Sequence, residues 1–475
     1  MKKIIVFFIY LTMGINILFA QDIESNIKER LTDYFNKYTA TAKISTPKLN
    51  SFDIDYDRKT IAVYASESFA YQPFRSETVE TIYNQVKNLL PGPVHYYQLT
   101  IYADGKPIEN LVPNLYRNKK KDKERMSLDI DYKGVPWVKN ISRPNEVSRG
   151  LQDRHIAVWQ SHGNYFKNDK NEWGWQRPRL FCTTEDLFTQ SFVLPYVIPM
   201  LENAGAVVYT PRERDTQKNE IIVDNDTPNA SLYLEVGSKK AKWDRASVRG
   251  FAQKKTIYQD GENPFADGTC RMISTERKKK KNKDQAFAEW VPTLPATGTY
   301  AVYVSYQTLP NSVSDAKYLV FHNGGVTEFK VNQKIGGGTW VYLGTFEFDK
   351  GNNDYGMVVL SNESKQKGVV CADAVRFGGG MGNIERGGET SGMPRYLEGA
   401  RYSAQWAGMP YPVYGGREGK DDMSDDINVR SRMINYLSGG SIFNPKDKGL
   451  GVPFELSMAL HSDAGASKED KIIGT

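Results

Sequence analysis

The sequence predicts a multidomain chain. An α/β domain is split by an inserted β-sandwich and preceded by a small α+β domain. Three observations predict this. Residues 22–115 mix two helical periodicities with short strand-like runs. From about residue 150 the pattern becomes strand, loop, helix, strand, and that texture returns after residue 378. Between the two halves, residues 231–377 form a series of short alternating runs separated by Gly and Asn turns. A chain of 475 residues is long enough for about two to four domains. Its 40% apolar and 12% aromatic content supplies buried cores, and 25% charged residues is ordinary for a soluble globular protein. The net charge of +6, diluted over this length, mildly favours anionic partners such as wall polymers or membrane surfaces. It does not point to nucleic-acid binding.

The first twenty residues, "MKKIIVFFIYLTMGINILFA", carry two lysines, an apolar stretch and a small residue, Ala20. They read as a signal peptide over 1–20, cleaved after Ala20. The competing reading is an uncleaved anchor, because the apolar stretch is near the lower limit for a spanning helix. No later run is long enough to span a bilayer. The mature chain is therefore expected in the periplasm, the cell envelope or the extracellular space, with no stable membrane span. Its three cysteines, Cys182, Cys270 and Cys371, are too few for a disulfide scaffold. Cys270 and Cys371 either form one bridge or stay as buried free thiols.

In the α+β domain (22–115), Ile23, Ile27, Leu31 and Phe35 have helical spacing. "AKISTPKLNSFDIDY" and "KTIAVYAS" read as strands. "SETVETIYNQVKNLL" is a second helix, begun at Ser76 and ended by Pro91-Gly92, and "VHYYQLTIYADGKPI" is a strand followed by an Asp-Gly turn. His95 reads as a strand residue without chemistry. "YRNKKKDKERMS" is a charged linker.

The first part of the α/β domain (150–230) begins with the strand "HIAVWQ". "FTQSFVLPYVIPMLENAG" reads as a helix with Leu187, Leu194 and Leu201 on one face and Gly205 as its stop. Thr183, three residues before Asp186, resembles its N-cap, and Pro195 and Pro199 argue for a kink. "AVVYTPRERD" is the next strand. The β-sandwich (231–377) contains "TYAVYVSYQ", "AKYLVFHNGG", "WVYLGTFEFD" and "VVCADAVRF". Its "RKKKKNKD" run reads as a solvated loop tip or, alternatively, as a contact for an anionic glycan or lipid. The second α/β part (378–475) contains the acidic-start helix "DDINVRSRMINYLS" and the strand "FELSMALHSDAG".

Two strands thus end on a histidine, "VWQSHGN" at His162 and "SMALHSDAG" at His461. Glu185, in "FCTTEDL", opens the helix after the first strand. In a parallel sheet these three positions share the face at the strands' C-terminal ends. Two imidazoles and a carboxylate are a ligand set for a catalytic zinc whose fourth position stays open to water. Each residue also has a plain reading: a surface histidine, or a glutamate drawn to a helix N-terminus by the macrodipole.

The ordered set resembles the zinc-dependent N-acetylmuramoyl-L-alanine amidases of peptidoglycan. Ser161-His162-Gly163 stands where that family has Gly-His-Gly, and Glu185 matches its helix-opening glutamate. "LENAGAVVYTPRERD" matches a Leu-x-x-x-Gly-x-x-Val ending followed by Thr-Arg-x-x-Asp, with Thr210, Arg212 and Asp215. "INVRSRMIN" and "SMALHSDAG" match an Arg-containing helix and the second histidine strand. The resemblance covers about 150–230 and 378–475. It implies zinc held by His162, Glu185 and His461, peptidoglycan as partner, and cleavage of the amide between N-acetylmuramic acid and L-alanine. It also implies a general-base glutamate on a later strand. Only Glu469 follows His461, in a polar turn, so the base is expected beyond Thr475 and the second α/β part is expected to be incomplete.

The inserted segment resembles the golvesin C-terminal-like domain, also seen in xanthan lyase-like proteins, through "AEWVPTLPATGTYAVYVSY", "VNQKIGGGTWVYLGTFEFDKG" and "VVCADAVRF". That resemblance implies a β-sandwich touching wall or other polysaccharide. The rival functions are a non-catalytic wall- or polysaccharide-binding protein and a xanthan-type lyase.

Overall fold

A computed structural model of the chain describes residues 22–38, 47–117, 121, 132–147, 150–179, 182–226, 231–277, 284–439 and 448–462. The signal-peptide reading, most of the charged linker, most of the lysine run and Glu469 lie outside these residues. The described residues fall into two compact units, one within the first 130 residues and one within Asp131–Ala464. Together they make a β-rich multidomain protein. Among the described residues no helix is long and apolar enough to cross a membrane.

In the first unit a helix spans 22–37, and its spacing places Ile27, Leu31 and Phe35 fully inside. Strand Leu49–Asp55 pairs antiparallel with Thr60–Ala65, which runs parallel to Gln98–Ala103. The helix Ser76–Leu89 lies between those parallel strands in sequence, as a parallel connection requires. Val79, Ile82 and Val86 on that helix, with Val63 and Ile101 of the sheet, close one core. His95 is in the turn before strand Gln98–Ala103, not in the strand. Pro91 and Pro93 lack the N–H groups a ladder needs, so pairing begins only near Gln98.

In the second unit, strand His155–Gln160 is central to a three-stranded parallel sheet. Leu456–Leu460 lies on one side and Val207–Tyr209 on the other. All six residues of the central strand are buried, as its continuous apolar run anticipates. The sheet therefore joins chain from both sides of the long β-rich segment. The helical stretch after Glu185 is not one continuous α-helix. It runs as Glu185–Phe188, Gln190–Phe192, a π-helical turn over Val193–Val197, and Ile198–Asn203. Pro195, without an N–H, falls inside the π turn, whereas Pro199 sits in a first turn where it is tolerated. Gly205 ends the stretch with φ of 102°, and a Cβ there would meet the Gln152 backbone. The N-cap is Thr184 rather than Thr183. Its hydroxyl bonds the Asp186 carboxylate at 3.0 Å instead of a backbone N–H.

The β-rich segment builds antiparallel sheets of six, four and three strands. Two recruited strands come from outside 231–377. Val138–Asn140 pairs with Gly325–Val331, and Ile221–Val223 pairs with Val375–Phe377. Nor is the β-rich segment insulated from its surroundings. On strand Gly298–Val304, Tyr300, Val302 and Val304 face the main core, while Ala301 and Tyr303 face a second aromatic cluster with Trp340, Tyr402 and Trp406. A strand buried on both faces needs a cover on each. The second cover includes the helix Ala400–Trp406. The helix Asp422–Ser438, capped by the Asp421 carboxylate accepting from Ser424 N, adds Val429, Met433 and Leu437 to the main core. Each such fully buried side chain stabilises by about 1.5–3 kcal/mol. The α/β and β-rich parts thus share cores within one compact unit. Cys270 and Cys371 are buried free thiols, and Cys182 is exposed.

Candidate metal centre

The parallel register delivers the histidines. Leu460 is opposite Gln160, so His461 and His162 leave neighbouring strand ends on one face of the sheet. Glu185 arrives from the helix that follows. Ser161 ties that helix to the strand, because its hydroxyl meets Thr189 Oγ1 at 2.7 Å and its N–H donates to the same oxygen at 3.2 Å. The serine hydroxyl at position 161 thus has a structural use.

His162, Glu185 and His461 offer ligand atoms that all lie within 4.8 Å of one another. His461 Nδ1 is 2.9 Å from Glu185 Oε1, and His162 Nδ1 is 3.7 Å from Glu185 Oε2. The two imidazole rings stand 4.7 Å apart at 62°. Ligands sharing a tetrahedral zinc at about 2.0–2.2 Å lie about 3.4 Å apart, and the 2.9 Å between His461 Nδ1 and Glu185 Oε1 is near that value. His162 Nδ1 is buried without a hydrogen-bond partner. Donor chemistry and spacing together fit a zinc held by His162, Glu185 and His461. Glu185 is enclosed, whereas His461 is partly exposed and leaves one side of the cluster open.

Burial first, then the nearby Arg430 and Arg177 charges, push the His162 pKa down to about 2, so the imidazole is neutral, the form that binds metal. Partly exposed Arg177, on the loop between His162 and Glu185, places Nε 3.2 Å from Glu185 Oε2. Two buried arginines hold the strand end. Arg212 donates to the carbonyls of His162, Gln160 (3.4 Å), Glu398 (3.0 Å) and Tyr396 (3.1 Å). Arg430 donates to the Ser161 carbonyl at 2.6 Å. Gly163 lies against the Glu398 backbone, where an added Cβ would collide with the carbonyl.

All three proposed ligands therefore meet. Of the motif residues, Arg212 serves the site through the backbone. Asp215 instead accepts from Ala301 N and Gln217 N, away from the cluster, and joins the α/β part to the β-rich segment. Sequence reasoning passed over Arg177 and Asp186. Asp186 is next to a proposed ligand, fully buried, and 4.0 Å from His162. The one available signal was a second acidic residue at a helix start that already had one.

Residues 268–379 match the family model of the Golvesin C-terminal domain. That span begins on strand Gly268–Ser274 and ends just past Val375–Phe377. A xanthan lyase from Bacillus sp. (strain GL1) is 37% identical over 90 residues, which are 18% of this chain and 10% of that protein. A solved structure of Paenibacillus xanthan lyase is 25% identical with a TM-score of 0.23, covering 34% of this chain and 13% of that one. The chain thus spans only about a tenth of the length of these relatives. The β-rich segment is similar to a golvesin C-terminal domain.

Proposed function

We propose that the chain works outside the cytoplasm on a saccharide-containing polymer, and that its metal centre makes it a zinc-dependent N-acetylmuramoyl-L-alanine amidase of peptidoglycan. One observation carries the catalytic part: two imidazoles and a carboxylate, from segments separated by the whole β-rich region, converge on a partly open face. Zinc held there by His162, Glu185 and His461 would acidify a bound water and polarise the substrate carbonyl. The chain's own residues do the positioning. Arg212 and Arg430 fix the His162 backbone, Ser161 locks strand to helix, and Arg177 brings a positive charge to the mouth of the site. The test is zinc content in the wild type, His162→Ala and Glu185→Gln, together with products from peptidoglycan. One zinc per wild-type chain, its loss in both variants, and stem peptides with a free L-alanine amino group are expected. Equal zinc in wild type and variants removes the metal centre.

A second reading is a polysaccharide-binding or lyase-like protein in which the β-rich segment does the work. The golvesin match and the xanthan lyase similarity support this reading directly and do not bear on the amidase. Incubation with peptidoglycan and with xanthan separates the two. Retention on polysaccharide without stem-peptide release favours the second reading, and unsaturated sugar products identify a lyase.

A further inference from the structure

We propose that Asp186 belongs to the metal centre as the carboxylate that orients His162, an inference that rests on the metal reading above. Asp186 is fully buried in the first turn of the helix opened by Glu185. A buried carboxylate needs partners for both oxygens. Oδ2 has two, the Arg177 N–H at 2.9 Å and the Thr184 hydroxyl at 3.0 Å. Oδ1 has none. The group facing it, at 4.0 Å, is His162 Nδ1, which is also buried and unpartnered. His162 Nδ1 thus lies near two carboxylates, Glu185 Oε2 at 3.7 Å and Asp186 Oδ1 at 4.0 Å, and neither Nδ1 nor Asp186 Oδ1 has a hydrogen bond.

The chemistry of imidazole connects them. A histidine that gives Nε2 to a metal carries its proton on Nδ1, and that proton needs an acceptor. Asp186 Oδ1 is placed to be the acceptor, and a ring movement of about 1 Å brings it within hydrogen-bond range. Asp186 is not one of the three residues whose ligand atoms lie within 4.8 Å of one another. It is a positioning residue, not a ligand. Carboxylates of this kind fix the ring and raise its basicity toward the ion.

The competing explanation is that Asp186 only pins the loop at Arg177 and Thr184. Asp186→Asn separates the two roles, because an amide oxygen still accepts at the Oδ2 position while the atom opposite His162 Nδ1 becomes a donor. The full chain, this variant and Thr184→Val are titrated with Zn²⁺, and their Co²⁺ forms are compared by visible absorption. The expected result is a zinc affinity about 10–100-fold weaker in Asp186→Asn, shifted Co²⁺ bands, and a near-wild-type Thr184→Val. The proposal is overturned if Asp186→Asn binds zinc as wild type does, or if Thr184→Val loses as much. Should Asp186→Asn not fold, nitrogen NMR of zinc-loaded wild type decides: a proton on His162 Nδ1 supports the proposal and a metal on Nδ1 overturns it. A wild-type chain that takes up no zinc sinks the metal reading itself.

Discussion

Arg212→Met tests whether the candidate site is held from behind by a guanidinium. Arg212 is almost wholly buried, and burial pushes its pKa down to about 10, so it remains charged at neutral pH. Its donors go to backbone carbonyls: His162, Glu398 at 3.0 Å, Tyr396 at 3.1 Å and, more weakly, Gln160 at 3.4 Å. Methionine fills much of the space and donates nothing. Three good bonds lost, at about 1–1.5 kcal/mol each, predict a destabilisation of about 3–4 kcal/mol. Arg212→Lys, with one ammonium that cannot span three carbonyls, should lose about half of that. Urea unfolding followed by tryptophan fluorescence measures it selectively, because all 8 tryptophans, from Trp137 to Trp406, fall in the second unit. With a slope of about 3 kcal/mol per molar, the midpoint should fall by about 1 M in Arg212→Met. The folded variant should also bind zinc more weakly than the wild type. An unchanged midpoint with unchanged zinc affinity would refute the clamp.

The remaining predictions concern neighbouring features. Gly163→Ala should cost about 1–3 kcal/mol and weaken zinc binding, because the new methyl meets the Glu398 carbonyl; unaltered fluorescence-detected unfolding would contradict this. His155, at the opposite end of the central strand, accepts from Trp137 N–H at 3.0 Å, and burial lowers its pKa from 6.5 to about 4. A proton taken up in the unfolded but not the folded chain destabilises the fold. Its contribution should therefore be complete above pH 6.5 and fall as pH drops toward 4, by at most about 1.4 kcal/mol per pH unit. His155→Gln, which keeps an acceptor for Trp137, should remove that component of the pH profile. With Cys182 exposed and the other two cysteines buried and free, a thiol reagent should label one site per native chain and three after denaturation. Labelling limited to one site in the denatured chain would reveal a Cys270–Cys371 bridge.

The candidate site was legible where local pattern carries it. An apolar run ending on His162, another ending on His461 and a glutamate opening a helix are each visible within about ten residues, because strand periodicity and helix starts are local properties. Asp186 and Arg177 were not legible. Their meaning lies in what they face, an unpartnered imidazole nitrogen and a carboxylate, and those neighbours are set by the return of a loop. The short strands Val138–Asn140 and Ile221–Val223 were missed for a related reason. Three residues carry too little periodicity, and pairing across the sheet makes them strands.

The sequence by itself determined the order of elements, the β-rich character of the middle segment and the residues of the three-membered cluster. Only the tertiary structure showed that the β-rich segment shares its cores with the α/β part. Strand Gly298–Val304 is buried on both sides because it separates two cores, and both are completed by helices from residue 400 onward. Tertiary structure also brought His461 beside His162 across the chain's longest excursion. Closing so large a loop is entropically costly, and it is offset by a core that packs both halves of the α/β part against the β-rich segment.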